Sequence, residues 1–365
     1  MGMEMSLAPF RGARWRHSLT ISGRGESMLG VAAGGAAVNR LWLIVALALV
    51  TGCVAEREIL HDPLADRAGL AAKYPGDQGI EQDSAVIFAE DFERAQLASL
   101  VGRFTNLKHP TSISIVRDSP PMSLGRTSLR MTSIGGVSTG GTLYKNLSKG
   151  YELLYLRYYI KYPSGGTYHH TSAWLGGYNP PADWPDRNAG IKPLGHDRFS
   201  IAAEPVDAND HLDFYTYWMG MRGGPTDYWG NFLIHDPTLT LTRDRWTCVE
   251  IMVKVNEPVT ESNGELALWI DGTLLSHLGP GFPKGSWTGG IFTPSHVGKT
   301  FEGFQWHNDP ALQLNWFMLQ HYATKDPPGY VGHVLFDHVV LATSRIGCLS
   351  RDTRSPSGPV NSKNE

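Results

Sequence analysis

Several things are scarce in this chain, and each scarcity excludes something. Cysteine occurs 3 times in 365 residues, too rarely for a disulfide-dense scaffold and without the ligand spacing of a zinc module. Charged residues make up 18%, and 32 Lys plus Arg stand against 35 Asp plus Glu, so no basic stripe supports nucleic-acid binding. No apolar run approaches the ~20 residues that a membrane-spanning helix needs. The His-Glu-x-x-His and phosphate-loop patterns are missing, which removes the common zinc-protease and nucleotide readings. Beyond Val86 there is no amphipathic helical period either. What abounds is 41 Gly, 23 Pro and 10% aromatic residues, a composition of β structure with long loops.

The N-terminus carries an export signal. Leu41 to Val50 (LWLIVALALV) is a short apolar core with Arg40 before it and Thr51-Gly52-Cys53 after it. Val50 to Cys53 resembles the bacterial lipobox, so Cys53 is expected to be lipidated and residues 1–52 removed, with Met28 the better start of the leader. Residues 53–85 read as a polar tether, 86–350 as one domain and 351–365 as a solvated tail. Cys248 and Cys348 then remain as the mature pair. Export favours a disulfide between them, worth up to ~4–5 kcal/mol for a loop of about 100 residues, against the alternative of two core thiols.

Within 86–350, short period-two runs are bounded by Gly, Pro, Asn and Asp. Strands are expected at Val86–Phe92, Ser112–Arg117, Ser128–Ser133, Tyr151–Tyr162 and Arg198–Ala203. Further ones are expected at Leu212–Trp218, Thr247–Asn256, Glu265–Ile270, Leu312–Tyr322 and Val334–Ala342. Asn263-Gly264 and Asp271-Gly272 are hairpin signals. So many antiparallel strands define an all-β, two-sheet antiparallel β-sandwich of jelly-roll type with a concave groove and long loops.

Alternation assigns faces. Leu154, Leu156, Tyr158 and Ile160 belong between the sheets, as do Val249, Ile251, Val253 and Val255. The opposite alternates are Tyr155, Arg157, Tyr159 and Lys161, then Asp213, Tyr215 and Tyr217, then Glu250, Met252 and Lys254. These are expected to line one wet groove.

The order of Glu90-Asp91-Phe92-Glu93, LYLRYYIKYP from Leu154, HHTSAWLGGY from His169, RFSIAAEP from Arg198 and FYTYW from Phe214 carries a resemblance. RWTCVEIMVKVN from Arg245, NGELALWIDG from Asn263 and VLFDHVVLATSRIG from Val334 extend it to Cys348. Together they resemble the jelly-roll polysaccharide lyases of the alginate and glucuronan type (family-14-like), with a concanavalin A-like fold. The resemblance implies a cleft holding a lysine, a Ser-x-Arg pair and a Tyr-x-Tyr pair. Tyr215, Tyr217 and Ser200 match, whereas Ala202 holds the arginine's place and His170 the lysine's. It also implies a structural calcium on Asp337 with Glu90 of the first strand, and no other cofactor.

A lyase acting on a uronate must neutralise the carboxylate, take the C5 proton and protonate the departing oxygen. His170 is the expected base, Tyr217 or Tyr215 the acid, and Arg157 with Lys161 the carboxylate clamp. Tyr159, Trp174, Glu250 and Lys254 are the expected substrate contacts, and His169 is expected to point away from His170. Three functions fit: a lyase for an acidic polysaccharide, a non-catalytic carbohydrate-binding lipoprotein with the same groove, or a structural envelope protein. In each the chain is a monomer held to a membrane by its lipid alone.

Overall fold

The structure, a computed structural model, describes Leu64 and residues 69–94, 96–184, 189–224 and 227–350. The expected leader, the lipidation site Cys53 and the tail 351–365 lie outside the described residues.

The strands β1 (Val86–Glu90), β2 (Asn106–Lys108), β3 (Ile113–Val116) and β4 (Ser128–Ile134) come first. The middle of the chain supplies β5 (Thr142–Tyr151), β6 (Leu153–Lys161), β7 (Ser172–Tyr178), β8 (Arg198–Pro205) and β9 (Leu212–Tyr217). Next come β10 (Trp246–Lys254), β11 (Glu265–Ile270), β12 (Thr273–Leu278), β13 (Lys284–Thr288) and β14 (Ile291–Pro294). The strands β15 (Lys299–Thr300), β16 (Leu314–Gln320) and β17 (Val331–Ala342) complete the set.

Two antiparallel sheets dominate. An eight-stranded sheet runs β12-β11-β10-β6-β17-β4-β3, with β1 also on β17, and a six-stranded sheet runs β2-β5-β16-β7-β8-β9. The expected inward alternates Leu154, Leu156, Tyr158, Ile160, Val249, Ile251 and Val253 are buried in one core with Ala173, Leu175, Ile201, Phe214 and Phe317 of the other sheet. Each such aliphatic side chain stabilises the fold by roughly 1.5–3 kcal/mol, which is what fixes the register of every strand. The all-β sandwich expected from alternation is therefore the fold.

Asp271-Gly272 forms the tight turn between β11 and β12, with φ of 50° and 83°. Asn263-Gly264 does not make a tight hairpin: Asn263 instead accepts from the Glu257 amide at 2.8 Å and donates to its carbonyl at 2.6 Å, bracing the longer β10–β11 link.

The expected boundary at residue 86 is too late. Short 3-10 turns at Leu70–Ala72, Pro75–Asp77 and Ile80–Gln82 pack on the outer face of the eight-stranded sheet. There they bond to the segment after β17, Leu70 N to Arg345 O at 3.0 Å and Gly76 N to Ser350 O at 3.1 Å. Polar, Ala-rich composition hid this segment, because few of its described apolar side chains, chiefly Leu64, Leu70 and Ile80, reach the core.

The same packing overturns the assignment of Arg157, Tyr159, Lys161, Glu250 and Lys254 to a groove. Their strands β6 and β10 belong to the eight-stranded sheet, whereas Tyr215 and Tyr217 lie on β9 of the other. Arg157 is fully buried, donating to Asp77 at 2.6 Å and to the His338 carbonyl at 2.7 Å. Burial opposes ionisation of the Asp77 carboxyl, yet Arg157 and His338 hold it below the usual carboxylate range. Glu250 accepts from the Ile346 and Gly347 amides at 2.6 and 2.9 Å, and the Tyr159 hydroxyl accepts from Leu349 N at 2.9 Å. Lys161 pairs with Asp118 and Lys254 with Glu265, both at 2.8 Å. Cys248 and Cys348, with Cα atoms 6.0 Å apart, are joined as expected and staple the terminal segment to β10. The aromatic and charged face of β6 is thus a covered satellite core.

Candidate functional site

The outer face of the six-stranded sheet is different. Register places Tyr144, Met318, Trp174, Ala202 and Tyr215 in one row across β5, β16, β7, β8 and β9. Asn146, Trp316, Gly176, Ser200 and Tyr217 form the next row. Gly176 is glycine for a reason: a Cβ there would stand 2.6 Å from the Trp316 ring. Gly230 likewise lies on the face of Tyr215, where a Cβ would come within 2.7 Å of the ring.

At the end of this face the turn before β7 delivers two histidines together. His170 has a φ of 66°, so the backbone is not extended and the two rings are not thrown to opposite sides. Their centroids lie 3.7 Å apart, which corrects the expectation that at most one faces the site. His169 Nδ1 lies 3.2 Å and His170 Nδ1 3.1 Å from the same oxygen, Oε1 of Glu204. Glu204 is fully buried on β8, two residues beyond Ala202 and four beyond Ser200, and so on their face of the strand. Burial opposes its ionisation, but the two imidazoles hold its carboxyl below the usual range. A carboxylate at hydrogen-bond distance keeps a proton on Nδ1 of a neutral imidazole, which leaves Nε2 as the basic nitrogen.

The turn is braced from below. The Thr171 hydroxyl meets His321 Nδ1 at 2.9 Å, and His321 Nε2 meets the Ser133 hydroxyl at 3.0 Å. Burial lowers the His321 pKa to about 4, so this ring is a neutral strut.

The Tyr215 ring centroid lies 5.0 Å from His170, 5.5 Å from His169, 6.0 Å from Trp174 and 5.6 Å from Tyr217. The two tyrosine hydroxyls are 3.5 Å apart. Burial, with Tyr217 and Glu204 nearby, pushes the Tyr215 pKa well up and keeps the phenol protonated. Asp213, beside Glu204 in register, accepts four backbone N–H bonds at 2.7–2.8 Å, from Phe214 and from Leu233, Ile234 and His235. It secures the loop that covers Tyr215, and it is a structural group.

Of the expected site residues, His170, Trp174, Ser200, Tyr215 and Tyr217 share this face, and Arg157, Tyr159, Lys161, Glu250 and Lys254 do not. Glu204 and His169 were missed. Glu204 stood in the quoted segment RFSIAAEP at the next alternate after Ser200 and Ala202, so its face was legible; its partner was not.

Glu90 does not fit the expected calcium. Its carboxylate accepts from the Phe92 amide at 3.0 Å and from the Arg103 guanidinium, a cation already beside it. Asp337 is buried, with Oδ2 unpartnered among the described residues, and burial near Asp91 and Glu93 pushes its pKa well above the usual carboxylate range. A cavity of about 400 Å³ lies by β1, lined by residues including Asp77, Glu90, Arg103 and His338. Glu90 and Asp77 there are paired with Arg103 and Arg157, while Glu81, Asp91, Glu93 and Arg94 also line it.

The strand pairing and this face define a jelly-roll-type β-sandwich whose six-stranded sheet carries an aromatic outer row, largely buried at Trp174, Tyr215 and Tyr217, that ends in a His-His-Glu cluster. No family model matches the chain, and no curated protein matches it. Solved structures do resemble it in fold. They include the alginate lyase Aly36B (13% identity, TM-score 0.48, covering 72% of this chain and 98% of that one). The PL-14 alginate lyase of Aplysia kurodai is similar (14% identity, TM-score 0.49, 71% and 100%). So is Cip1, a cellulose-induced protein (15% identity, TM-score 0.42, 72% and 99%).

Proposed function

We propose that this face binds an acidic, uronate-containing polysaccharide and cleaves it by β-elimination. The observation that carries the reading is a buried carboxylate, Glu204, orienting His170 beside the Tyr215–Tyr217 pair on an aromatic surface. With Nδ1–H donated to Glu204, His170 Nε2 takes the C5 proton of the sugar. The electron pair left behind forms the C4–C5 double bond as the C4–oxygen bond breaks. The Tyr215 phenol, held protonated by burial, gives its proton to the departing oxygen. Trp174 and Tyr217 offer ring edges and faces to the chain, and Ser200 a hydroxyl in the next row.

The second reading is a carbohydrate-binding module without catalysis. Ala202 in the arginine's place and the loss of Arg157 and Lys161 from the site favour it, because the uronate carboxylate then has fewer cations to meet. Screening the full chain against uronate polysaccharides for the absorbance of unsaturated ends separates the two. A lyase forms them, and His170→Ala lowers the rate by roughly 10²–10⁴-fold, the usual worth of a general base. Binding without unsaturated ends from any uronate chain selects the module.

Export and a lipid at Cys53 are part of the same proposal. The leader supports them, and so does the Cys248–Cys348 disulfide, which persists in an oxidising compartment. Replacing Cys53 by Ser should move the protein from the membrane to the soluble fraction. Retention on membranes after a salt wash would place the anchor elsewhere.

A further inference from the structure

We propose that Nδ1 of His169, Nδ1 of His170 and the Glu204 carboxylate form a binding site for a divalent cation of the zinc class. One donor atom from each of the three residues lies within 4.8 Å of the other two, and both Nδ1 atoms lie within 3.2 Å of Glu204 Oε1. Zinc bonds to imidazole nitrogen and carboxylate oxygen run ~2.0–2.2 Å, which in a tetrahedron sets neighbouring ligands about 3.3–3.6 Å apart. The observed Nδ1 to Oε1 separations of 3.2 and 3.1 Å are already near that edge, so an ion needs only a small spreading of the cluster.

A second observation comes from Glu204 itself. The side chain is fully buried, and its Oε2 has no hydrogen-bond partner among the described residues. An ionised carboxylate withdrawn from water needs compensation, and both of its recorded partners crowd onto the other oxygen. A dication between the imidazoles and the carboxylate would supply it. Two nitrogen donors with one oxygen select a borderline metal such as Zn²⁺ or Co²⁺ over Ca²⁺, which takes oxygen ligands. Three protein ligands leave a fourth position, as in open zinc sites, and the Tyr215 ring lies 5.0–5.5 Å from both imidazoles.

Loading has one consequence that rests on the lyase reading. The ion takes the Nδ1 lone pair of His170, the ring proton moves to Nε2, and no basic nitrogen is left for the C5 proton. Zinc would therefore inhibit cleavage, whereas the site itself does not depend on that reading.

The test uses the full chain, without a polyhistidine tag and stripped by chelator. Titration with Co²⁺ should give visible d–d absorption that saturates at one equivalent, and Zn²⁺ should displace it while Ca²⁺ does not. His169→Ala, at a partly exposed ring, and Glu204→Gln should each weaken binding at least tenfold. Should Glu204→Gln fail to fold, His169→Ala decides, with near-UV circular dichroism confirming its fold. No saturable spectrum, or an unchanged affinity in folded His169→Ala, overturns the site. If no form cleaves any uronate chain, the lyase reading falls while the cobalt spectrum still decides the metal. Undiminished cleavage at saturating Zn²⁺ overturns the inhibition.

Discussion

The two outer faces of this sandwich look alike in sequence and are opposite in use. Both alternate tyrosines with charged residues, on β6 and β10 of one sheet and on β8 and β9 of the other. On the eight-stranded sheet both ends of the described domain fold over the face, and most charges there meet fixed partners: Arg157 with Asp77, Glu250 with two amides, Lys161 with Asp118, although Asp337 Oδ2 stays unpartnered among the described residues. On the six-stranded sheet Trp174, Tyr215 and Tyr217 stand with a His-His-Glu cluster in which one buried oxygen is left without a partner.

That contrast can be broken experimentally. Asp77→Ala leaves the Arg157 guanidinium buried and unpaired, so it should cost about 3–5 kcal/mol of stability. Denaturant unfolding measures the loss, and uronate binding at a temperature where the variant stays folded should be unchanged. A parallel loss of binding in the folded variant would mean that the covered face takes part.

The disulfide holds the same cover. Replacing both Cys248 and Cys348 by Ser should cost roughly 2–5 kcal/mol and expose the outer face of β10 to proteolysis before the six-stranded sheet opens.

On the other sheet, pH reports the strut under the histidine turn. His321 has its pKa lowered by burial from 6.5 to about 4, so below 6.5 the unfolded chain binds the proton more readily than the folded one. The stability it contributes is fully present above about 6.5 and is lost as pH falls through about 4, on the order of 3 kcal/mol in total. In His321→Gln that part of the acid slope should vanish. Asp337 has the reverse sign. Burial pushes its carboxyl well above the usual range, so stability falls as pH rises from the unfolded value toward the folded one, and in Asp337→Asn that part of the pH dependence should vanish.

The architecture was largely legible because alternation is a local signal. Leu154 to Ile160 and Val249 to Val253 announced their inward faces, and the Asp271-Gly272 turn announced its hairpin. Which sheet a strand joins is not local. Nothing in LYLRYYIKYP says that β6 sits between β10 and β17 rather than beside β9, so Arg157 and Lys161 were placed on the wrong surface. The His169-His170 pair failed for a smaller reason: period-two logic was carried into a turn where His170 takes a left-handed conformation. Glu204 was within reach by counting alternates from Ser200, but only the folded chain reveals that two imidazoles converge on it.

The smallest expected effect is the sharpest control. Lys161→Ala removes a partly exposed ion pair and should change stability by no more than ~1 kcal/mol. It therefore gives a sound partner for the decisive measurement, calorimetric titration of a uronate oligosaccharide into the full chain and into Trp174→Ala and Lys161→Ala. If the six-stranded face is the site, Trp174→Ala weakens binding at least tenfold and Lys161→Ala leaves it unchanged. Weakening by Lys161→Ala with full affinity in Trp174→Ala would put the site on the other sheet.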